Sequence, residues 1–283
     1  MPNGRYYVRD RVVFVTGPAR GIGAETARQL SRKGAKLALV GLEPEGLERL
    51  AAELPAEALW HEADVRDLAA LEEAAARTVE RFGGIDVAIA NAGIAPVGTV
   101  EAMEPEAFEA VIQVNLLGVW RTLRATVPHV RARRGYLLSI ASLAAVVHLP
   151  LMSGYAAAKA GVSAMADVLR MELEGTGTKV GVAYFGFIDT DMTRGAYEDP
   201  RVEQVRRGKG RRLLPPPLPV GVAGRAIVEG IERRARSIVV PRSARAALVA
   251  PNVSQRVAEA GTRRVGFAEL LGEGTPGPDD SVT

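Results

Sequence analysis

No cysteine occurs in the 283 residues, so the chain has no disulfide framework, no thiolate metal site and no cysteine nucleophile. Aromatic residues make up only 5%, and none is interleaved with the basic clusters as a single-strand nucleic-acid platform requires. Charge of one sign is also lacking: 36 Lys and Arg face 33 Asp and Glu, a net of +3. The basic clusters at 131–134 (RARR) and 206–212 (RRGKGRR) are therefore read as solvated loop charge or attraction for an anionic substrate, and no nucleic-acid partner is expected. No apolar run approaches the roughly 20 residues that cross a bilayer, so no integral membrane segment is expected. The opening Met-Pro-Asn-Gly-Arg-Tyr-Tyr lacks the apolar core of a secretory signal, and the expected location is cytoplasmic. Histidines 61, 129 and 148 show no metal-ligand spacing, so no metal site is expected; His148 reads as a surface histidine more readily than as a pocket residue.

What is present begins with Ser-Gly-Tyr155-Ala-Ala-Ala-Lys159. Tyrosine and lysine four apart on a helix project from one face, a turn above each other. A phenol titrates near pH 10, and a neighbouring ammonium favours its phenolate. Lowering the value by about three units requires roughly 4 kcal/mol of differential interaction. The pair is expected to act as an acid/base catalyst at an alcohol or carbonyl, with the phenol drawn towards working pH.

Apolar strands are expected at 12–16, 36–40, 58–62, 85–90, 136–140, 179–184 and 237–241. Helical patterns run from the glycine turn to Gly34 and across 45–54, 68–82, 105–131, 155–174 and 220–234. This alternation predicts an α/β fold with a parallel sheet covered on both faces. Segment 186–219, with its glycines, basic residues and prolines, reads as a mobile cover over the site; 244–271 adds helical structure, and 272–283 reads as a disordered tail. The whole of 1–283 is expected to be one dinucleotide-binding and catalytic domain.

Thr16-Gly17-x-x-x-Gly21-x-Gly23 follows the first strand and opens a helix. Its glycines admit close approach of a pyrophosphate, and the helix start supplies oriented amides. Asp64-Val65 follows the third strand, where the carboxylate can bind an adenine amino group or simply cap a helix. Asn91-Ala92-Gly93 ends the fourth, where the turn can border a ligand or merely stabilise itself. Together, these strand ends line one extended crevice.

On Thr16-Gly-Pro-Ala-Arg-Gly-Ile-Gly23, Asn91-Ala-Gly93, Asn115, Ser142 and Tyr155-x-x-x-Lys159, the chain resembles the short-chain dehydrogenase/reductase family in its compact form. The resemblance covers about residues 10–241, and the glycine spacing is unlike that of the longer sugar-nucleotide epimerases. It implies a doubly wound, seven-stranded parallel Rossmann-like sheet in three layers, a nicotinamide cofactor, and a homodimer or homotetramer. It also implies that Ser142, Tyr155 and Lys159 are catalytic with Asn115 in support. In those roles Ser142 holds the substrate oxygen, Lys159 binds the nicotinamide ribose, and Asn115 positions a water. Gly17, Arg20, Gly21, Ile22, Gly23, Gly41, Asp64, Val65, Asn91, Ala92, Gly93, Ile188 and Thr190 would join Tyr155 and Lys159 around the cofactor.

Gly41 stands where relatives that prefer NAD usually carry Asp, and Arg20 can pair with a 2′-phosphate, so NADP is favoured over NAD. Phe185 replaces the usual proline after the sixth strand, and the C-terminal extension departs from the compact pattern. Leu143, Val147, Leu149, Tyr184, Phe187 and Met192 suggest an apolar pocket. The expected activity is hydride transfer between NAD(P) and an alcohol or carbonyl on a largely apolar small molecule; the alternative is a nucleotide-responsive binding protein with little catalysis.

Overall fold

Successive strand residues face opposite ways, and both directions are apolar here. In the computed structural model, which describes residues 6–207 and 214–265, Val13 and Val15 of β1 (Val12–Thr16) enter one buried cluster and Phe14 the other. In β2 (Lys36–Gly41), Leu37 and Leu39 join the first cluster, Ala38 and Val40 the second. A strand covered on both sides needs continuous rather than alternating hydrophobicity, which explains Val-Val-Phe-Val-Thr and Lys-Leu-Ala-Leu-Val-Gly. The remaining strands are β3 (Ala58–Glu62), β4 (Val87–Ala90), β5 (Tyr136–Ile140), β6 (Lys179–Phe185) and β7 (Ser237–Val240). They form the expected seven-stranded sheet, ordered β3-β2-β1-β4-β5-β6-β7 and parallel at every pairing.

The helices are α1 (Gly21–Arg32), α2 (Pro44–Glu53), α3 (Leu68–Phe82), α4 (Pro105–Ile112), α5 (Gly118–Ala132), α6 (Ser153–Glu172), α7 (Asp191–Glu198), α8 (Pro200–Arg207), α9 (Val220–Arg233), α10 (Arg245–Val249) and α11 (Pro251–Val265). Leu30 of α1, Leu47 of α2 and Ile227 of α9 cover the first face. Leu71 of α3, Leu123 of α5 and Val162 of α6 cover the second. Each such side chain contributes about 1.5–3 kcal/mol by leaving water. The layers are three, as expected. Strand order reverses between β1 and β4, so their following loops part and leave a crevice at the C-terminal ends.

Three local differences from the sequence reading have physical causes. β4 starts at Val87 rather than 85, where buried Asp86 turns its carboxylate to the Val12 N–H at 3.0 Å and to Arg11 at 2.7 Å. The stretch at 105–131 is interrupted by a π turn at Gln113–Leu117, which carries Asn115. Segment 186–219 is more regular than its composition implies, because it contains α7 and α8. Its base is tied where Leu218 bonds Phe187 and Asp189 backbone groups at 2.9 and 2.8 Å. The expected helical extension is present as α10 and α11, whereas 266–283 and most of the basic cluster at 206–212 lie outside the described residues. Among the described residues no helix is long and apolar enough to cross a membrane.

The far edge of the sheet depends on one phenol. Tyr136 of β5 reaches across β6 to the Ala235 carbonyl at 2.8 Å, just ahead of β7. Gly181 of β6 makes this possible, since a Cβ there would collide with the Tyr136 hydroxyl. Burial pushes the phenol well above its ordinary value, so it stays a donor. Tyr136→Phe is expected to cost about 1–3 kcal/mol, because the Ala235 carbonyl loses a buried partner. Urea unfolding checks this; an unchanged midpoint would contradict the tie.

Candidate active site

β1 runs directly into Gly17, whose φ is 63°, and α1 begins at Gly21, whose φ is 58°. Both torsions suit glycine. Space is equally restricted: a Cβ on Gly17 would lie 2.8 Å from the Ala92 Cα, and one on Gly23 would lie 2.6 Å from the Asn91 Nδ2. Arg20, at the N-cap, makes no side-chain cap, and the first turn of α1 has no acidic residue. The opening amides of α1 are thus left for an anion at the crevice. Asn91 secures the turn from behind, with Nδ2 donating to the Thr16 and Gly17 carbonyls at 3.0 and 2.9 Å. Its own N–H donates to Thr16 Oγ1 at 3.1 Å. The cradle fits the pyrophosphate of a dinucleotide, and the Asn91 side chain serves the cradle's shape.

The next group gathers at the C-terminal end of β5. Ser142 follows that strand and begins a short 3₁₀ turn; its Oγ accepts from Ala144 N at 3.1 Å and donates to the Phe185 carbonyl at 3.2 Å. Half-buried Tyr155 lies in the first turn of α6, with the Ser142 side chain beside its phenol. Lys159, one turn on and only 3% exposed, places Nζ 5.6 Å from the Tyr155 ring centroid. The same ammonium donates to the Ile140 carbonyl at 2.8 Å. Asn115, fully buried in the π turn, bonds both backbone groups of Ile94: its Nδ2 donates to the carbonyl at 2.7 Å, and its Oδ1 accepts from the N–H at 2.8 Å. Gly93 lies between them, for a Cβ there would be 3.3 Å from Asn115 Oδ1 and 3.7 Å from Lys159 Nζ. All four residues singled out in the sequence gather beyond the C-terminal ends of β4 and β5.

Residues 11–201 match the family model described as short chain dehydrogenase. The chain is a member of the short-chain dehydrogenase/reductase family. It is 34% identical to the 2,3-dihydro-2,3-dihydroxybenzoate dehydrogenase of Bacillus subtilis (strain 168), over 71% of this chain and 79% of that one. The crystal structure of levodione reductase superposes with a TM-score of 0.72 at 30% identity, covering 82% of this chain and 96% of that chain. An alcohol dehydrogenase from the archaeon Thermococcus sibiricus, solved with 5-hydroxy-NADP, gives 0.69 at 28% identity, with 81% and 95% covered. This short-chain dehydrogenase/reductase is an NAD(P)-dependent oxidoreductase acting on alcohol or carbonyl substrates.

Around that centre, the sequence-derived residues of this dehydrogenase/reductase divide by what they touch. Arg20 is 3.2 Å from Glu43, a partner that Leu39-Val-Gly-Leu-Glu43 contained but the sequence reading did not single out. A Cβ at Gly41 would meet only ordinary contacts of 3.7–3.8 Å, so close packing does not by itself require glycine there. Asp64 is gripped by Arg66, with Nε and Nη2 at 2.8 and 2.6 Å, which holds its carboxyl below the usual range. The helix cap is Asp67 instead, accepting from Ala70 N at 3.2 Å. Val65 packs against Gly118, while half-buried Ile22 packs on the core. Thr190 caps α7 and approaches Gly21, bringing the loops after β6 and β1 together; Ile188 beside it is buried. Of the expected pocket residues, Phe187 packs on Tyr197 with ring centroids 5.8 Å apart, and Met192 is exposed. Tyr184 does not belong with them. It faces the second core cluster and bonds Ser163 of α6 at 2.6 Å.

The electrostatics correct one expectation. Burial pushes the Tyr155 phenol above its ordinary value, although the Ser142 hydroxyl beside it acts the other way. Burial also lowers Lys159 to about 8, so the ammonium near the ring is itself disfavoured. Between pH 8 and the unfolded value of 10.5, the unfolded chain keeps a proton that the folded chain has released. Stability from this group therefore rises with pH across that window, and the full penalty applies below it. Relative to Lys159→Met, the parent protein is expected to gain about 1.4 kcal/mol per pH unit between pH 8 and 10. Denaturant unfolding of both proteins checks it; parallel pH curves would contradict a strained lysine.

Proposed function

We propose that Ser142, Tyr155, Lys159 and Asn115 form the catalytic centre of a carbonyl reductase or alcohol dehydrogenase for small, largely apolar substrates. The observation that carries the reading is the meeting of Ser142, Tyr155 and Lys159 at the end of β5. When bound, the nicotinamide dinucleotide supplies the hydride in reduction and takes it in oxidation. Tyr155 donates its proton to the carbonyl oxygen in reduction and recovers it from the alcohol in oxidation. Its upward-shifted phenol is suited to holding that proton at neutral pH. Ser142 orients the substrate oxygen and stabilises negative charge developing there. Lys159 would hold the nicotinamide ribose and add positive charge beside the phenol, and Asn115 fixes the Ile94 backbone next to Lys159.

Gly17, Gly21, Ile22 and Gly23 would hold the pyrophosphate; Asp64 and Val65 the adenine; 91–93 the crevice wall; and Ile188 and Thr190 the nicotinamide amide. NADP is the proposed preference. Gly41 offers no carboxylate, and the exposed Arg20–Glu43 pair is worth little enough for a phosphate to replace Glu43. Half-buried Leu143, Val147, Leu149 and Phe187 support an apolar pocket. Exposed Trp120, Val168 and Met171 on α5 and α6 suit a second copy of this chain. We place the enzyme in the cytoplasm and treat the chain as one domain with a substrate cover at 186–219.

The test is turnover of an alcohol and ketone panel with NADPH and NADH, repeated with Tyr155→Phe. The substitution is expected to lower kcat about 10²–10⁴-fold while cofactor affinity changes little. Full activity in the variant would reject the proton role, and tight cofactor binding with no turnover by the parent chain would favour the binding-protein alternative.

A further inference from the structure

The loop 143–152 joins Ser142 to the helix of Tyr155, so it must edge the space between their hydroxyls. Its two ends are independently held. At the near end, Ala145 N donates to the Ser142 carbonyl at 3.0 Å, and Val147 N to the Leu143 carbonyl at 2.9 Å. At the far end, Gly98 N donates to the Leu151 carbonyl at 2.9 Å, and Gly98 bridges Met152. Leu151 adopts φ 68°, a torsion that stores strain in a non-glycine residue just ahead of α6.

The middle is held from a distant element. Gln255 of α11 spans the His148 backbone: Oε1 accepts from its N–H at 2.8 Å, and Nε2 donates to its carbonyl at 3.4 Å. Nε2 also donates to Glu259 Oε1 at 3.3 Å, one turn along the helix. A carboxylate only accepts, so Glu259 selects the amide orientation that presents Oε1 to the His148 N–H. Behind α11, Leu248 of α10 packs on the same core cluster as Leu143 and Val146. His148 itself is exposed, so its backbone rather than its ring is what this contact uses.

We propose that Gln255 is a positioning residue that sets substrate size, by fixing the middle of the loop between Ser142 and Tyr155. This rests on the catalytic reading above and adds a determinant outside residues 11–201, the stretch matched by the family model. Ser142 keeps its own bonds to Ala144 and Phe185, and Tyr155 its place in α6, whether or not Gln255 is present. What moves on release is the wall carrying Val147 and Leu149. The consequence falls on substrates wide enough to touch that wall, and not on the proton transfer.

The experiment measures kcat and KM for a series of ketones, from a small cyclic ketone to long-chain and aryl ketones, in the parent protein, Gln255→Ala and Glu259→Ala. Gln255→Ala is expected to leave the smallest ketone within about twofold and to change KM for the bulky ones roughly three- to tenfold. Glu259→Ala is expected to give a smaller change in the same direction. A uniform change in kcat across the series, or an unaltered size profile, overturns the proposal. Hydrogen exchange at the His148 amide reads the clamp without turnover. Faster exchange in Gln255→Ala with α6 protection unchanged supports it, and unchanged exchange overturns it. A parent chain that turns over no ketone with either cofactor defeats the catalytic reading and the size role with it, while the exchange result still decides the clamp.

Discussion

The ammonium of Lys159 sits where water is almost excluded, held by the carbonyl of Ile140 at the end of β5. A lysine in that position is disfavoured by its own burial, and the fold tolerates it because β5 and α6 are each fixed by large apolar contacts. The same constraint puts Lys159 beside the Tyr155 ring and beside Gly93. One costly charge thereby links the end of β5, the start of α6 and the exit of β4. Sites that store unfavourable electrostatics in this way are common where proton transfer must be controlled.

Two asparagines keep the surrounding backbone in place. Asn91 bonds the turn after β1, so the glycine cradle is shaped by the neighbouring strand rather than by its own sequence alone. Asn115 pairs with both backbone groups of Ile94, and the π turn that carries it is the local distortion that allows the reach. Neither contact depends on a distant charge, and both sit at the strand order's reversal, where the loops would otherwise diverge freely. The fold contributes to catalysis chiefly by holding these loop ends.

Much of this was legible in residue order. Val12–Thr16 and Tyr136–Ile140 match their expected strands because doubly buried strands require unbroken apolar runs. Tyr155 and Lys159 fall on one helix face because their spacing is nearly one turn. The glycine turn was visible because positive φ and close approach both call for glycine. What was hidden depends on three-dimensional balance. The direction of the Tyr155 shift is set by burial outweighing its neighbours, which spacing cannot show. Tyr184 alternates onto the α6 side of β6, so proximity in sequence to Phe187 misplaced it. α7 and α8 were masked by glycine and basic residues, and the Gln255–His148 contact joins residues 107 apart.

The proposed chemistry falls on a single substrate oxygen, shared by two hydroxyls from different elements. A ternary crystal structure with a nicotinamide dinucleotide and a ketone tests that most directly. The ketone oxygen is expected within hydrogen-bond distance, about 2.6–3.2 Å, of both Ser142 Oγ and Tyr155 Oη. A ketone oxygen bound away from both hydroxyls, with the cofactor in the crevice, would contradict it.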